Sequence, residues 1–440
     1  MAQTISKLPE GGLNHLQKRI LFTLGFLAIY RIGVHVPLPG VDTEALAEFF
    51  KTQGANLFGM FNMFSGGALE RFSVCALGVM PYISSSIIAQ LLTVVVPHLE
   101  ALSKEGEAGR KKITQYTRYG TVALSLIQGM MLANSLEGAS FAGAHLVPTG
   151  GIGWKIFTAV SLTAGTAFIM WIGERITEKG VGNGISLIIF SGIVAGLPRI
   201  LGNTYSQYSN AQMDLITILV ILAVVLFVVA GVVFIEQGAR QIPVQYAKRQ
   251  VGRKVYGGQT SHLPVRVNSS GVIPPIFASS LLQFPVTIAA VSPDSQMAIF
   301  INKVFYPGGW LYLLTYAVMI IFFAFFYTSI VFKADDVAEN LKKHGGFIPG
   351  IRPGARTAEY LHKVLSRLTL TGGLYLAAIC ILPTILAAQF HVQFYFGGTS
   401  LLIVVGVALE TFRQIDAHRQ SLRYDAFLKA GTIRPRGVRT

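Results

Sequence analysis

The stretch that decides the fold runs from Phe61 to Val96 and begins Phe61-Asn62-Met63-Phe64-Ser65-Gly66-Gly67-Ala68-Leu69-Glu70-Arg71. From Phe72 onward it is an apolar run, interrupted only by small or uncharged polar residues and by Pro81. That run is long enough to cross a bilayer, which takes ~20 mostly apolar residues, whereas the segment before it is too short. Gly66-Gly67 makes a flexible joint between the two. Because irregular backbone at membrane depth survives only inside protein or a water-filled cavity, the stretch predicts a short segment folded back into a cavity.

The composition of the whole chain is that of a polytopic, all-α membrane protein. Of its 440 residues 52% are hydrophobic and only 13% are charged, and the mean hydropathy is +0.54. An average soluble domain is roughly 25% charged. Cys75 and Cys380 both lie in apolar runs, which indicates packing residues and no disulfide framework. Lys18-Arg19 precedes the first apolar run without a small-residue cleavage site, so we expect a retained first span.

Hydropathy predicts ten membrane spans, and the basic residues orient them. The spans cover about 20–38, 73–97, 117–136, 154–173, 184–199, 214–236, 271–291, 309–332, 369–388 and 397–412. One side of this arrangement holds 30 of the 36 Lys and Arg residues. By the positive-inside rule that side is cytoplasmic, and both termini lie on it. In the fifth span, Gly192-x-x-x-Gly196 is expected to allow close backbone packing.

Two cytoplasmic loops are unusually long and basic. Loop 237–270 carries six Lys or Arg residues and no acid, and loop 333–368 carries seven basic residues. In the second loop, the turn-rich run from Gly345 to Gly354 predicts that Arg352 lies at a loop tip. These loops could bind an anionic partner such as an RNA backbone. A solvated topology signal explains them about equally well.

Ionisable side chains are almost absent between the span edges. Glu236 and Glu410 lie near the cytoplasmic ends of the sixth and tenth spans. Ion-coupled transporters place such groups at membrane depth despite a cost of ~2.5–3.5 kcal/mol, so this pattern argues against ion-coupled transport. No glycine cluster has the lysine and hydroxyl pattern of a phosphate loop, and no histidines have metal-ligand spacing. We expect no catalytic residue, no metal and no cofactor.

Several blocks, in order along the chain, resemble the SecY family, the channel subunits of bacterial protein translocons. Besides Phe61–Leu69 and Met80–Ser84, the blocks are Gly109–Gly120, Gly182–Ser186, Tyr246–Gln250, Phe347–Gly354 and Phe396–Ser400. Each block alone is weak evidence, but together they cover residues 60 to 405 and are highly specific. The first 18 residues, the outer loops 201–213 and 292–308, and the tail after about 413 match no block.

The resemblance implies two inverted five-helix halves around a central pore. The first half would be residues 20–199 and the second 200–413, flanked by cytoplasmic segments 1–19 and 414–440. Five is odd, so like-ordered halves have opposite orientations, as in many transporters. An outer plug at about 60–71 would close the pore, with Phe61, Asn62, Met63, Phe64, Ser65, Gly66 and Gly67 at its core. Below it would lie a ring of aliphatic residues: Val79, Ile83, Ile185, Ile189, Ile273 and Ile403.

Residue spacing is consistent with such a ring. Val79 and Ile83, like Ile185 and Ile189, are i,i+4 pairs, so each pair lies on one helix face. An aliphatic constriction dewets and resists ion flow, yet makes no strong polar contact with a passing chain. For any one of these residues taken alone, contact with lipid or with a neighbouring helix is the commoner explanation.

The family resemblance also implies a lateral gate between the second and seventh spans. Its polar side chains would be Ser86, Gln90, Gln128, Asn268 and Gln283. Hydrogen bonds between such groups in a membrane contribute roughly 0.6–2 kcal/mol each, enough to hold a seam that can still open. Ordinary polar packing between helices is an equally good interpretation for each residue.

By resemblance, the chain is a passive channel in the bacterial plasma membrane for unfolded secretory polypeptides, and it releases apolar segments sideways into lipid. A SecA motor ATPase or a ribosome would dock on the basic loops through Lys248, Arg249 and Arg352. SecE-type and SecG-type small subunits would pack alongside. Two alternatives from other classes are a small-solute facilitator and a membrane scaffold without a pore.

Overall fold

The computed structural model describes residues 10–43, 45–46, 48, 62, 65–138, 140–141, 144–148, 150–210, 214–246, 249–251, 254–256, 260–291, 295–296, 300–301, 304, 309–390 and 398–430. The chain divides into two compact units. Unit 1 comprises Met1–Leu201 and Val407–Thr440, and unit 2 comprises Gly202–Gly406. The described part is mostly helical, which confirms the predicted fold class, although short strands occur that the sequence analysis did not predict.

Unit 1 is built from long helices with one short hairpin. Its elements are α1 (Glu10–Val34), α2 (Met80–Val95), α3 (Pro97–Lys104), α4 (Glu107–Glu137), β1 (Ser140–Phe141), β2 (Ala144–His145), α5 (Ile152–Lys179) and most of α6 (Gly184–Ser209). Small residues let these helices approach closely, as where Gly129 of α4 faces Ala159 of α5. The Ser85 hydroxyl of α2 donates a 2.7 Å hydrogen bond to the Thr117 carbonyl of α4.

Prolines set the ends of α2, which is shorter than the predicted span 73–97. Pro81 lies in its first turn, where the missing N–H costs nothing. Val96 is extended because it precedes Pro97, and α3 then leaves at 98° to α2. Residues 73–79, predicted as part of the span, form turns instead.

The turn segment before α2 is anchored to the chain that follows α1. Leu38 N–H donates to the Phe72 carbonyl at 2.9 Å, and Val74 N–H donates to the Val36 carbonyl at 3.1 Å. Phe72 is fully buried in an apolar cluster that includes Leu69, Leu146 and Leu162. Phe72 holds a positive φ of 44°, which is uncommon for a bulky residue. The chain that follows the predicted plug segment is therefore firmly packed.

Unit 2 combines membrane-length helices with a small sheet. Its elements are α7 (Leu215–Gln237), β3 (Ala239–Tyr246), β4 (Arg249–Val251), β5 (Lys254–Tyr256), β6 (Thr260–Arg266), α8 (Ile273–Val291), α9 (Trp310–Val331), α10 (Ala334–Lys343), β7 (Gly346–Phe347), α11 (Ala355–Phe390) and the first part of α12 (Gly398–Ala430).

The sheet joins the two large basic loops. Its order is β6-β3-β7, all antiparallel, with Ala239 opposite Arg266 and Tyr246 opposite Gly346. Ile242 and Val265 point from this sheet into a core shared with α10 and the first turns of α11. Loops 237–270 and 333–368 therefore form one folded body.

Each of the ten predicted spans overlaps one long helix. Within the described residues, six helices are long and apolar enough to cross a membrane, or seven if the bent pair α2–α3 counts as one span. Within the described residues of α8, Ile273–Leu282 is a shorter apolar stretch.

Candidate functional site

The described part of the predicted plug segment, Asn62 and residues 65–70, closes on itself through Asn62. The Asn62 amide donates to a Glu70 carboxylate oxygen at 3.1 Å and its side-chain oxygen accepts from the Glu70 backbone N–H at 3.0 Å. The Asn62 carbonyl accepts from Gly67 N–H at 2.7 Å and from the Ser65 hydroxyl at 3.1 Å. These bonds hold Ser65, Gly67 and Glu70 against Asn62. Phe61, Met63 and Phe64, also predicted for the plug, lie outside the described residues.

The plug loop is seated on α6 at its glycine turn. Gly66 and Gly67 have φ of +68° and +85°, the left-handed region that glycine adopts without strain. A Cβ added at Gly66 would lie 2.8 Å from the Gly192 Cα. The backbone that approaches Gly192 is therefore that of the predicted plug segment.

Side chains of α1 and α6 hold the plug by polar contacts. The Tyr30 hydroxyl donates to the Ser65 carbonyl at 3.1 Å, and an Arg31 guanidinium nitrogen donates to the Gly66 carbonyl at 3.1 Å. On α6, the Arg199 guanidinium binds both oxygens of the Glu70 carboxylate, one of them at 2.9 Å. Sequence reasoning assigned no role to Glu70 or Arg199. The signal was that Arg199 is one of only six basic residues on the side that the charge distribution predicts to be outer.

The electrostatics of Glu70 favour its charged form. Partial burial of the carboxylate raises its pKa, but the hydrogen bond and charge of Arg199, with help from Asn62 and Arg71, outweigh burial. The net effect lowers the pKa of Glu70 below its ordinary value. The ion pair is therefore intact throughout the neutral range.

A small cavity brings plug and predicted ring residues together. Its lining includes Ser65 of the plug and the predicted ring members Val79, Ile83 and Ile189, with Leu77, Gly78 and Met80 completing it. The three ring members are buried. Apolar walls of this kind exclude water from a small cavity.

The other three predicted ring members occupy different surroundings. Ile185 is half-buried, and its side-chain tip fills the space that Gly173 of α5 leaves open. In unit 2, Ile273 is the first residue of α8, and Ile403 is fully buried on α12. The structure thus brings Val79, Ile83 and Ile189 together within unit 1.

The predicted lateral-gate residues divide between α2, α4 and unit 2. On α2, the Gln90 amide donates to the Ser86 hydroxyl at 3.3 Å, and the buried Gln90 Oε1 has no hydrogen-bond partner among the described residues. Gln128 is half-buried on α4. The side chain of Gln283 lies outside the described part of the chain.

Asn268, predicted for the lateral gate, organises the turn that leads into α8. Its amide donates to the buried Glu236 carboxylate at the end of α7 and to the Gly271 carbonyl at 3.1 Å. Its side-chain oxygen accepts from the Ser270 hydroxyl at 3.0 Å. Asn268 therefore ties the ends of α7 and α8 together.

Two of the three predicted docking residues, Arg249 and Arg352, lie in the described part of unit 2. Arg352 is exposed in a tight turn, and its carbonyl accepts a 3.0 Å hydrogen bond from the Thr357 hydroxyl at the start of α11. Arg249 opens β4 opposite Tyr256. Lys248 lies outside the described residues. β4 pairs only with β5, in a two-stranded sheet separate from β6-β3-β7. Pairing of β3 with β7 nevertheless joins the two loops to which Arg249 and Arg352 belong.

Across the described ranges, no group of three or more His, Cys, Asp or Glu side chains could hold a metal ion. Cys75 and Cys380 are free and buried.

Comparison of the sequence with known proteins finds one family. Residues 73–412 match the SecY family. Protein translocase subunit SecY of Vibrio cholerae is 48% identical over 434 residues, which cover 97% of both chains. The protein of the same name from Escherichia coli K12 is 49% identical over 432 residues, again 97% of both.

Comparison of the structure with solved structures finds the same fold. A protein-conducting channel aligns with a TM-score of 0.63 at 16% identity, over 93% of this chain and 94% of the other. A SecY protein whose plug domain stabilizes the closed state and maintains a membrane seal aligns with a TM-score of 0.66 at 17% identity over the same shares. Sec61 from a canine ribosome-channel complex gives 0.62 at 15% identity, over 93% and 94%.

Proposed function

The chain belongs to the SecY family, and on that premise we propose that it is the passive protein-conducting pore of a bacterial translocon. It is a multi-pass membrane protein and a translocase subunit, not an enzyme. Its substrates would be unfolded secretory polypeptides, which it passes outward, and apolar segments, which it releases sideways into lipid. The proposed location is the plasma membrane with both termini cytoplasmic, which the distribution of Lys and Arg supports.

One observation carries this proposal: the cavity in which the plug residue Ser65 meets Val79, Ile83 and Ile189. A seal needs a dry constriction with something seated on its outer side. Small apolar cavities stay dry, and an aliphatic constriction resists ions by dewetting. The cavity supports both features, because aliphatic ring members form its walls and Ser65 of the proposed plug contributes to the same lining.

We propose that the complete ring also includes Ile185, Ile273 and Ile403. The full ring draws on four helices, two in the first proposed half (20–199) and two in the second (200–413). Aliphatic side chains yield to a chain pushed from the cytoplasm, because they offer it no strong hydrogen bond or charge contact. Such a ring suits substrates of arbitrary sequence.

The lateral gate would open between α2 and α8. Asn268 supports this indirectly, because its bonds to Glu236 and Gly271 hold the turn that precedes α8. Ser86 and Gln90 on α2, with Gln128 on α4 and Gln283 on α8, are proposed as the polar groups of the seam. Their hydrogen bonds would be weak enough to break when an apolar segment competes for lipid.

The driving force would come from partners. Structural neighbours include Sec61 in a canine ribosome complex and the yeast Ssh1 complex bound to the 80S ribosome. We propose that a ribosome or a SecA motor docks on the two basic loops, which the pairing of β3 with β7 joins, through Lys248, Arg249 and Arg352. Arginine at an exposed turn suits recognition of phosphate or carboxylate. SecE-type and SecG-type subunits are proposed to pack against the helices.

Crosslinking to a stalled substrate tests the proposal. Single cysteines at Ile83, Ile189 and Ile403, introduced after replacement of Cys75 and Cys380, should crosslink to a polypeptide arrested in transit. A cysteine at Leu226, which is 61% exposed on α7, is the matched control and should react with lipid probes only. If the three ring positions behave like Leu226, the pore assignment is wrong.

A further inference from the structure

The ion pair between Glu70 and Arg199 joins the plug to a membrane helix at a distance of 129 positions in sequence. The Arg199 guanidinium forms two parallel bonds to the carboxylate, the geometry in which arginine binds acids most strongly. We infer that this pair is a latch that holds the plug closed and thereby sets how often the resting channel opens. The inference rests on the proposed channel function and adds a regulatory element to it.

Glu70 is the point at which the plug is tied together. Its backbone N–H and its carboxylate both bind the Asn62 side chain, and the Asn62 carbonyl in turn accepts bonds from Ser65 and Gly67. A displacement of Glu70 would therefore be transmitted through Asn62 to Ser65 and Gly67. An anchor at this residue restrains the plug more effectively than one at a loosely bonded position.

Arg199 lies on the same helix face as the sealing residues. Ile189, Gly192 and Arg199 are spaced i, i+3 and i+10, so they share one face of α6. Ile189 lines the cavity with Ser65, the backbone at Gly192 meets Gly66, and Arg199 binds Glu70. The plug thus lies along about three turns of α6, and the ion pair is its outermost contact.

The ion pair can break readily because one partner is buried and the other is largely exposed to water. The Glu70 side chain is 11% exposed and the Arg199 side chain 53% exposed. Water competes for the guanidinium, so the pair is a modest restraint. When it breaks, however, Glu70 loses its cationic partner in a largely buried site, which favours release of the loop into the outer funnel.

Resting ion conductance in planar bilayers, measured on the assembled translocon, tests the latch. E70Q and R199Q should each raise the resting open probability about fivefold, the factor that corresponds to about 1 kcal/mol. The control K155Q breaks another outer ion pair, Lys155–Glu137, and should leave the conductance unchanged. Equal conductance for all three variants and the parent protein would overturn the latch.

A double charge reversal separates attraction from general damage. E70R and R199E should each leak more than the neutral variants, because each places like charges together. The combination E70R/R199E restores opposite charges and should leak less than either single reversal. A leak in the double variant at least as large as the sum of the two single effects would show that the residues act only by maintaining the fold.

Deletion of residues 61–70 distinguishes failure of the latch from failure of the channel. A deletion that conducts while E70Q and R199Q stay silent refutes the latch and leaves the channel assignment intact. A deletion that stays silent, together with absence of crosslinks from the ring to a stalled chain, refutes the proposed function itself.

Discussion

Replacing Gly66 with alanine should unseat the plug, and replacing Gly67 should do so far less. Both residues have positive φ, +68° and +85°, so alanine at either position carries the same type of backbone strain. They differ in their surroundings. A Cβ at Gly66 would lie 2.8 Å from Gly192 Cα and 2.6 Å from an Arg31 nitrogen, whereas a Cβ at Gly67 would have no atom within 4 Å.

The magnitudes follow from these two effects. The left-handed backbone costs an alanine about 1–2 kcal/mol at either position. G66A adds overpacking, because the Arg31 side chain can move aside but the α6 backbone at Gly192 cannot. Overpacking costs about 1–3 kcal/mol, which corresponds to roughly a 5- to 150-fold change in an equilibrium constant. G66A should therefore leak at least about fivefold more than G67A.

The measurement is resting conductance per channel in a planar bilayer, with protein-translocation activity as the check that each variant is folded. Wild type should be nearly silent, G67A weakly conducting and G66A clearly conducting. Equal leaks from G66A and G67A would show that the plug does not rest on α6 at Gly192. Two silent variants would show that the plug is not the seal.

Three further outcomes follow from other contacts. Acidifying the outer side should increase the leak, because the pKa of Glu70 is lowered in the closed state. The stabilisation of the closed state by the charged carboxylate is complete above the ordinary glutamate pKa of about 4.3 and is lost as the pH falls through the lowered value. E70Q should show no such rise. N268A should destabilise the protein by about 1–3 kcal/mol, since it leaves the buried Glu236 carboxylate without this donor, and thermal unfolding in detergent should show a lower midpoint. R352E should abolish motor-driven translocation while span orientation stays unchanged in a cysteine-accessibility map; an inverted map would instead make Arg352 a topology signal.

The helical class and the positions of the long helices could be predicted from the sequence. Hydropathy over ~20 residues and the distribution of Lys and Arg are local or additive properties, so they can be read without coordinates. Helix ends were predicted less well. The second span was expected from residue 73, but α2 begins at Met80, because the preceding turns are fixed by bonds to residues 36 and 38.

The sheet of unit 2 was missed although it left a signal. Burial alternates along β3, where Ile242 and Val244 are buried and Gln241 and Pro243 are exposed. The basic residues of loop 237–270 predicted partner binding, and no strand was predicted there. What the sequence could not show is that β3 pairs with β7 from the other loop, a contact across about a hundred residues.

The sequence by itself determined that this chain crosses a membrane repeatedly and carries a glycine-jointed segment before its second span, because those properties depend on the residues within one window. Only the tertiary structure decided which residues hold that segment. Glu70 and Arg199 are 129 positions apart, and Gly66 and Gly192 nearly as far. Pairing at such separations depends on how α1, α2 and α6 pack, and no local pattern encodes it. The same reason explains why Val79, Ile83 and Ile189 were suggested by family resemblance, while their meeting with Ser65 in one cavity came from the coordinates.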